Sequence, residues 1–328
     1  MDKVTLVIPT FNEQYYIKKV ITSILSQDYD FNNIEVIFID GNSKDSTVDI
    51  INGELKDRKI DYKIIINQDR ITPKSVNMGI KAAKYDIIMR LDAHSEYPST
   101  YISKCIYYLN KTGADNVGCL LFTKGEGIIG QAIASVVSTK FGVGNSSFRV
   151  GAKSGYVDTV PYGTFRKSLF EKIGYFNEEL LRTEDNEFNY RIRKNGGKVY
   201  LFNDIQVIYH PRNSILKLVK MAYQNGEGVI YTNYFLPGSM GIRHLVPLIF
   251  VISILIGILG LLLNIQILKI LFIIEIVLYF SLDLIFSLKT SLLCLILYPL
   301  YHILYGIGSI FGVFKIWKKN YTVLKKKN

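Results

Sequence analysis

Six polar side chains stand just past the ends of apolar runs in the first hundred residues. Thr10 and Glu13 follow residues 4–8, Asp40 follows 34–39, Arg70 follows 62–66, and Asp92 and His94 follow 86–91. Where such runs are parallel strands, ligands bind beyond their carboxyl ends. Four successive loops would then carry hydroxyl, carboxylate, guanidinium and imidazole groups to one rim, a setting for a polar, charged small molecule. A further acidic pair, Glu184-Asp185, opens a helical stretch. Acids there also have an ordinary use, facing the positive end of the helix.

The elements that must position these groups can be read from periodicity. Residues 4–8, 34–39, 62–66 and 86–91 are apolar runs of strand length, and residues 13–27 carry Tyr16, Ile17, Val20, Ile21 and Ile24 at helical spacing. Asp45, Ser46 and Thr47 offer caps for a second helix, and Thr72 is expected to cap a third with Pro73 at its first position. Strands alternating with helices, without hairpin turns, predict an α/β fold with a mostly parallel sheet and right-handed crossovers. Residues 114–180 mix strands and loops. Residues 184–194 read as a helix with Thr183 as N-cap and Gly196-Gly197 as stop, and 198–209 as a further strand.

Composition changes along the 328 residues. From Leu245 to Phe314 the chain is mostly Ile, Leu, Val, Phe and Tyr. The formal charge is +11, but from Arg243 onward nine Lys/Arg face only Glu275 and Asp283, leaving +4 for the first 242 residues. The basicity therefore belongs to the apolar part and its tail, where lysines meet anionic lipid headgroups, and nucleic-acid binding is not expected. The three cysteines, Cys105, Cys119 and Cys294, form no metal-ligand spacing and read as reduced, buried thiols. The chain opens on a strand without a signal peptide, so the first domain is expected in the cytoplasm.

Apolar segments at 245–263, 267–288 and 291–314 are each of membrane-spanning length. Three full crossings would put the lysine-rich tail outside, against the preference of basic segments for the cytoplasm. The second or third segment is therefore expected to be re-entrant or interfacial. The expected organisation is a soluble domain over 1–212, interfacial helices over 213–243, a multi-pass cell-membrane region over 244–316 and a basic tail over 317–328.

The order of five stretches resembles family 2 inverting glycosyltransferases of the GT-A fold, and within them the succinoglycan-type bacterial exopolysaccharide enzymes. These stretches are VTLVIPTFNE, FIDGNSKDST, RITPKSVNMGIKAAKYD, RLDAHSEYP and the segment from Val157 to Gly197. They cover the whole soluble domain, and residues 141–149 resemble the same subgroup. The resemblance implies a Rossmann-like GT-A sheet and a catalytic role for the domain. It places Pro9, Thr10 and Glu13 in the nucleotide pocket, Asp40 on the base, and Arg70, Asn77 and Arg212 among donor-binding groups. Gly41 replaces the second acid of the family's DDGS motif.

RLDAHSEYP stands where the family has its DxD motif. The resemblance implies that Asp92 binds the donor and, with His94 and His210, a divalent metal that neutralises the departing diphosphate. Imidazole in place of the second carboxylate shifts the preference from Mg²⁺ toward Mn²⁺. Glu96 reads as a loop carboxylate facing water. Asp185, with Glu184 beside it, matches the family's catalytic acids, Asp185 as the general base that takes the acceptor proton.

The expected activity is transfer of a sugar from a nucleotide donor, of the UDP-sugar kind, to a lipid-linked saccharide during cell-surface or exopolysaccharide synthesis. The alternatives are a polyprenyl-phosphate sugar transferase and a non-catalytic nucleotide-sugar-binding membrane scaffold. A processive synthase is disfavoured: Gln224 is followed by Asn-Gly-Glu-Gly rather than by the Arg-Trp pair of the QxxRW motif.

Overall fold

The structure is a computed structural model describing residues 1–211 and 213–325, with side chains through Trp317. In chain order the strands are β1 (Val4–Thr10), β2 (Ile34–Asp40), β3 (Asp61–Ile66), β4 (Ile87–Arg90), β5 (Ser95–Glu96), β6 (Asn116–Thr123), β7 (Gly155–Tyr156), β8 (Thr164–Arg166) and β9 (Val199–Tyr209). The helices are α1 (Ile17–Leu25), α2 (Thr47–Leu55), α3 (Thr72–Ala82), α4 (Tyr101–Thr112), α5 (Gly127–Val136), α6 (Lys140–Val143), α7 (Ser147–Val150), α8 (Lys167–Ile173), α9 (Glu184–Lys194), α10 (Ile215–Phe235), α11 (Val246–Leu262), α12 (Gln266–Lys289) and α13 (Cys294–Lys325).

The chain divides into two compact units, one of residues 1–122 and 147–210, the other of residues 123–146 and 211 onward. The uninterrupted domain expected over 1–212 thus carries an excursion that folds with the carboxy-terminal helices. Its apolar residues explain this. Ala132, Ile133, Val136 and Val137 are buried in one cluster with Leu218, Ala222, Leu297 and Tyr298.

The first unit is built on a nine-stranded sheet in the order β3-β2-β1-β4-β8-β6-β9-β5, with β7 beside β9. β1 pairs in parallel with β2 and β4, and β2 with β3, so that Thr10 stands opposite Asp40, and Asp40 opposite Ile66. Beyond β4 the strand–helix alternation stops, and the pairs of β8 with β4 and β6, and of β9 with β5 and β7, are antiparallel. The central strands are buried on both faces because alternate residues point to opposite sides. Leu6, Ile8, Val36 and Phe38 meet residues of α1, α2 and α4 on one face. Val7, Ile37 and Ile39 meet residues of α3, α8 and α9 on the other.

Two expected caps differ. Thr72 is already helical and Ile71 is the N-cap of α3, with Pro73 in the first turn. Thr183 does precede α9, but in a left-handed conformation and without a capping bond from its side chain.

In the second unit the three apolar segments appear as α11, α12 and the greater part of α13. α12 and residues 294–317 of α13 are each 24 residues and apolar enough to cross a membrane, while α11 has 17 residues. Residues 215–235, expected as several interfacial helices, form the single helix α10.

Candidate active site

The carboxyl ends of β1, β2, β3 and β4 open onto one rim, and the backbone there is unusually constrained. Five of the six non-glycine residues with positive φ among the described residues, Asn12, Asn42, Arg70, Tyr162 and Thr183, lie in loops of this sheet unit. Such conformations cost free energy and persist where surrounding structure enforces them, often at functional sites.

The centre of the rim is an ion cluster around Arg90, the last residue of β4. Its Nη1 contacts Asp185 Oδ1, its Nη2 lies 2.9 Å from Glu184 Oε1, and the guanidinium sits 5.7 Å from the Phe176 ring centroid. Arg90 thus ties the start of α9 to the strand end that carries Asp92. The sequence reading passed over Arg90 as part of an apolar strand, although a charge inside Ile-Ile-Met-Arg-Leu was a signal that it faces a partner. Burial, with Glu184 and Asp92 nearby, pushes the Asp185 carboxyl up to about 7, against the pull of Arg90. A third of the Asp185 side chain remains open to solvent.

Asp92 and His94 are brought together, with His94 Nδ1 2.7 Å from Asp92 Oδ1 and 3.6 Å from Glu13 Oε1. Burial alone would raise the pKa of Asp92, but His94 and then Arg90 outweigh it and pull it down to about 2. Burial opposes the charge on His94, yet Asp92 and Glu13 hold the imidazole well above its usual range, as an imidazolium. Tyr97, not singled out in the sequence, receives the Asp92 amide on its hydroxyl at 2.6 Å and braces this turn.

Several of the expected site residues have protein partners of their own. His210 is buried, its Nε2 is 2.6 Å from Glu96 Oε1, and its ring stacks on Tyr16 at 5.5 Å. Its backbone amide donates to the His94 carbonyl at 3.2 Å, so His210 stands beside His94 while its ring bonds Glu96, whose side chain is 35% exposed. No three His, Cys, Asp or Glu side chains form a metal-holding group among the described residues. Asn77, expected to bind donor, is buried. Its amide donates to the Phe176 carbonyl at 2.8 Å and to Glu178 at 2.9 Å, and its Oδ1 accepts from the Phe176 amide at 3.0 Å. That is a clamp between α3 and the loop before α9.

Asp40 anchors a turn. It accepts from the Ser43 amide at 2.8 Å, the Ser43 hydroxyl at 2.6 Å and the Thr10 hydroxyl at 3.2 Å. Arg70 donates from Nε to the Gly41 carbonyl at 3.1 Å and lies 4.9 Å over the Phe11 ring. Its strand, β3, is three places from β4, about 14 Å at ordinary strand spacing, so Arg70 faces the Asp40 end of the rim rather than the Asp92 end. A Cβ on Gly41 would meet Phe11 at 3.1 Å, which suits a glycine where the family carries a second acid. Pro9, Thr10 and Glu13 lie at the end of β1 between the two ends, where the Glu13 amide donates to Thr47 Oγ1 at 2.8 Å. Arg212 lies outside the described residues. Phe141, in the stretch that resembles the exopolysaccharide subgroup, packs on Tyr279, Phe286 and Tyr298 within the helical unit.

Two acids at the start of α9 thus meet Arg90 at the carboxyl end of β4, two residues before Asp92, and the family match spans strands β1 to β8 of this mixed sheet. Residues 5–174, just over half of the chain, match Glycosyl transferase family 2. The chain belongs to this family. This family 2 glycosyltransferase is 29% identical over 246 residues to the succinoglycan biosynthesis protein ExoA of Rhizobium meliloti, covering 74% of each chain. It is also 29% identical over 245 residues to a dolichyl N-acetyl-alpha-D-glucosaminyl phosphate 3-beta-D-2,3-diacetamido-2,3-dideoxy-beta-D-glucuronosyltransferase of Methanococcus voltae, covering 72% of this chain and 76% of that protein. Among solved structures, its fold matches Staphylococcus aureus TarS 1–349 in complex with UDP-GlcNAc. The TM-score is 0.53 at 15% identity, covering 94% of this chain and 90% of that one. TarS 1–349 with UDP matches with a TM-score of 0.51 at 18% identity, covering 68% of this chain and 65% of that one. These likenesses establish the GT-A fold.

Proposed function

We propose that this glycosyltransferase moves a sugar from a UDP-type donor to a hydroxyl of a lipid-linked saccharide, with inversion, at the cytoplasmic face of a membrane. The observation that carries this reading is the Arg90 cluster, which sets Asp185 and Glu184 beside the strand end bearing Asp92. Asp40, on β2, is two strand spacings from β4, about 10 Å. The nucleoside would lie toward Asp40, Phe11 and Arg70, and the diphosphate toward Asp92.

In the proposed reaction Asp185 accepts the proton of the acceptor hydroxyl as its oxygen forms a bond to the anomeric carbon. The bond from that carbon to the diphosphate oxygen breaks, and nucleoside diphosphate leaves on the opposite face. Glu184 and Arg90 hold Asp185 in place. Asp92, with His94 once its proton is lost, would hold Mn²⁺ or Mg²⁺ through an oxygen and a nitrogen donor. The ion would supply positive charge against the leaving group. A UDP-type donor is supported by the nucleotide complexes of TarS, and a lipid-linked acceptor by the dolichyl-phosphate substrate in the name of the archaeal relative.

The test is a transfer assay with the purified full chain, Mn²⁺ or Mg²⁺, a panel of nucleotide sugars and a polyprenyl-diphosphate saccharide. Asp185→Asn is expected to lower the transfer rate by about 10²–10⁴-fold, the usual worth of a general base. Full activity in that variant would remove Asp185 from the role.

A further inference from the structure

An open cleft of about 800 Å³ lies within the sheet unit, between α1 and the edge formed by β5 and β9. That volume falls in the range of small-molecule sites. One wall comes from α1 and its flanks. Ile17, Val20, Ile21 and Ile24 of this helix enter the core, whereas Tyr15, Lys19, Thr22 and Ser26 recur at three- and four-residue steps and line the cleft. The other side is lined by Gln206 and Ile208 of β9, with Glu96 of β5 and Tyr97 after it.

The cleft adjoins the candidate active site without containing it. Tyr97 is the residue whose hydroxyl takes the Asp92 amide, and Glu96 bonds the ring of His210. Asp40, Asp92 and Asp185 do not line it.

The polar groups along its walls are of both hydrogen-bonding kinds. The two contacts of Glu96, 2.6 Å to His210 and 3.8 Å to Lys19, both use Oε1, which leaves Oε2 as an acceptor. The Thr22 and Ser26 hydroxyls donate to helix carbonyls at 2.9 and 3.0 Å, so their lone pairs are what they offer a ligand. Donors come from the Lys19 ammonium and the Gln206 carboxamide. Gln206 is exposed, and its side chain has no hydrogen-bond partner among the described residues. Tyr15 adds an aromatic ring that is 80% exposed.

This mixture selects among ligands. A phosphate would meet the Glu96 carboxylate, and Lys18, also on this wall, is already paired with Glu54 at 2.7 Å. An extended peptide needs a strand edge to pair with, and β5 is only two residues long. An apolar chain would strip water from Glu96 and Lys19 without replacing it. A saccharide meets all the groups present. Its hydroxyls donate and accept at once, and the C–H face of a sugar ring can bury against Tyr15.

We propose that this cleft is a second carbohydrate site, apart from the transfer centre, which holds sugar units of a saccharide chain on Tyr15, Lys19, Glu96 and Gln206. The proposal takes from the proposed function only that the protein handles saccharides, and it is independent of the role of Asp185. A chain held there keeps its other units near the rim, at a raised effective concentration.

The experiment is calorimetry on the purified full chain in a non-glycosidic detergent. The probes are soluble tetrasaccharides of glucose, of galactose and of N-acetylglucosamine, each alone and with saturating UDP. At least one is expected to bind, and to bind equally well with UDP present. Tyr15→Ala and Gln206→Ala, both at exposed positions, are each expected to weaken that binding by about threefold to tenfold, the worth of one ring contact or one hydrogen bond. Asp185→Asn should bind the tetrasaccharide as the unsubstituted chain does, so an error in assigning the base and an error in assigning this cleft are read apart. Binding of none of the three, displacement by UDP, or unchanged affinity in both cleft variants would each overturn the proposal.

Discussion

Asp185 lies in opposing fields, with Arg90 favouring its charged form and burial, Glu184 and Asp92 favouring the neutral one. The balance places its pKa at about 7 rather than in the usual carboxylate range, which suits a base working near neutral pH. Because the base must be deprotonated, kcat at saturating donor should rise as pH rises through about 7, and the limb should vanish in Asp185→Asn. A rising limb centred near 4 would contradict this assignment. Asn77 makes the opposite case, a motif residue whose amide holds the protein together. Asn77→Ala leaves the Phe176 amide and carbonyl without their buried partner, so unfolding in urea should show a loss of about 2–3 kcal/mol. A donor-binding role would instead raise the donor KM and leave stability unchanged.

At the scale of elements, α3 must press against the sheet for the Asn77 clamp to reach Phe176. Gly79 permits that approach, since a Cβ there would meet Val7 of β1 at 2.4 Å and Ile39 of β2 at 2.8 Å. Gly79→Ala should therefore destabilise the protein by about 1–3 kcal/mol through overpacking, read as a lower denaturant midpoint. The Asn and Gly of this helix thus act together in packing it on the sheet. Periodicity placed β1 to β4, α9 and the starts of the three apolar helices within a few residues, because strongly apolar runs report local burial directly. It did not reveal that residues 123–146 leave the sheet unit, because their apolar spacing fits a core without saying which core.

At the scale of the whole molecule, the separate parts of the rim make separable demands. UDP at a hundred times its Kd should stabilise the folded chain by about 2.7 kcal/mol, seen as a higher unfolding temperature in detergent. Asp185→Asn should respond as the unsubstituted chain does, since the proposed role of Asp185 is on the acceptor. Asp40→Ala should respond less, because it frees the Gly41–Ser43 turn that Asp40 holds. An unchanged response in Asp40→Ala would move the nucleoside away from that end of the rim.

The sequence by itself determined the family, the strand ends on which Thr10, Asp40 and Asp92 stand, and the apolar character of the last third of the chain. Those features are written in local order, in runs, spacing and motif company. Only the tertiary structure decided the partners. It set Arg90 on Glu184 and Asp185, some ninety residues away, turned His210 onto Glu96, and gave the amide of Asn77 to Phe176. It also distinguished an α12 that the protein leaves largely uncovered from a less apolar, half-covered α13. A side chain's type states what it can bond, whereas burial and distance, which arise from residues far apart in the chain, select the bond it makes.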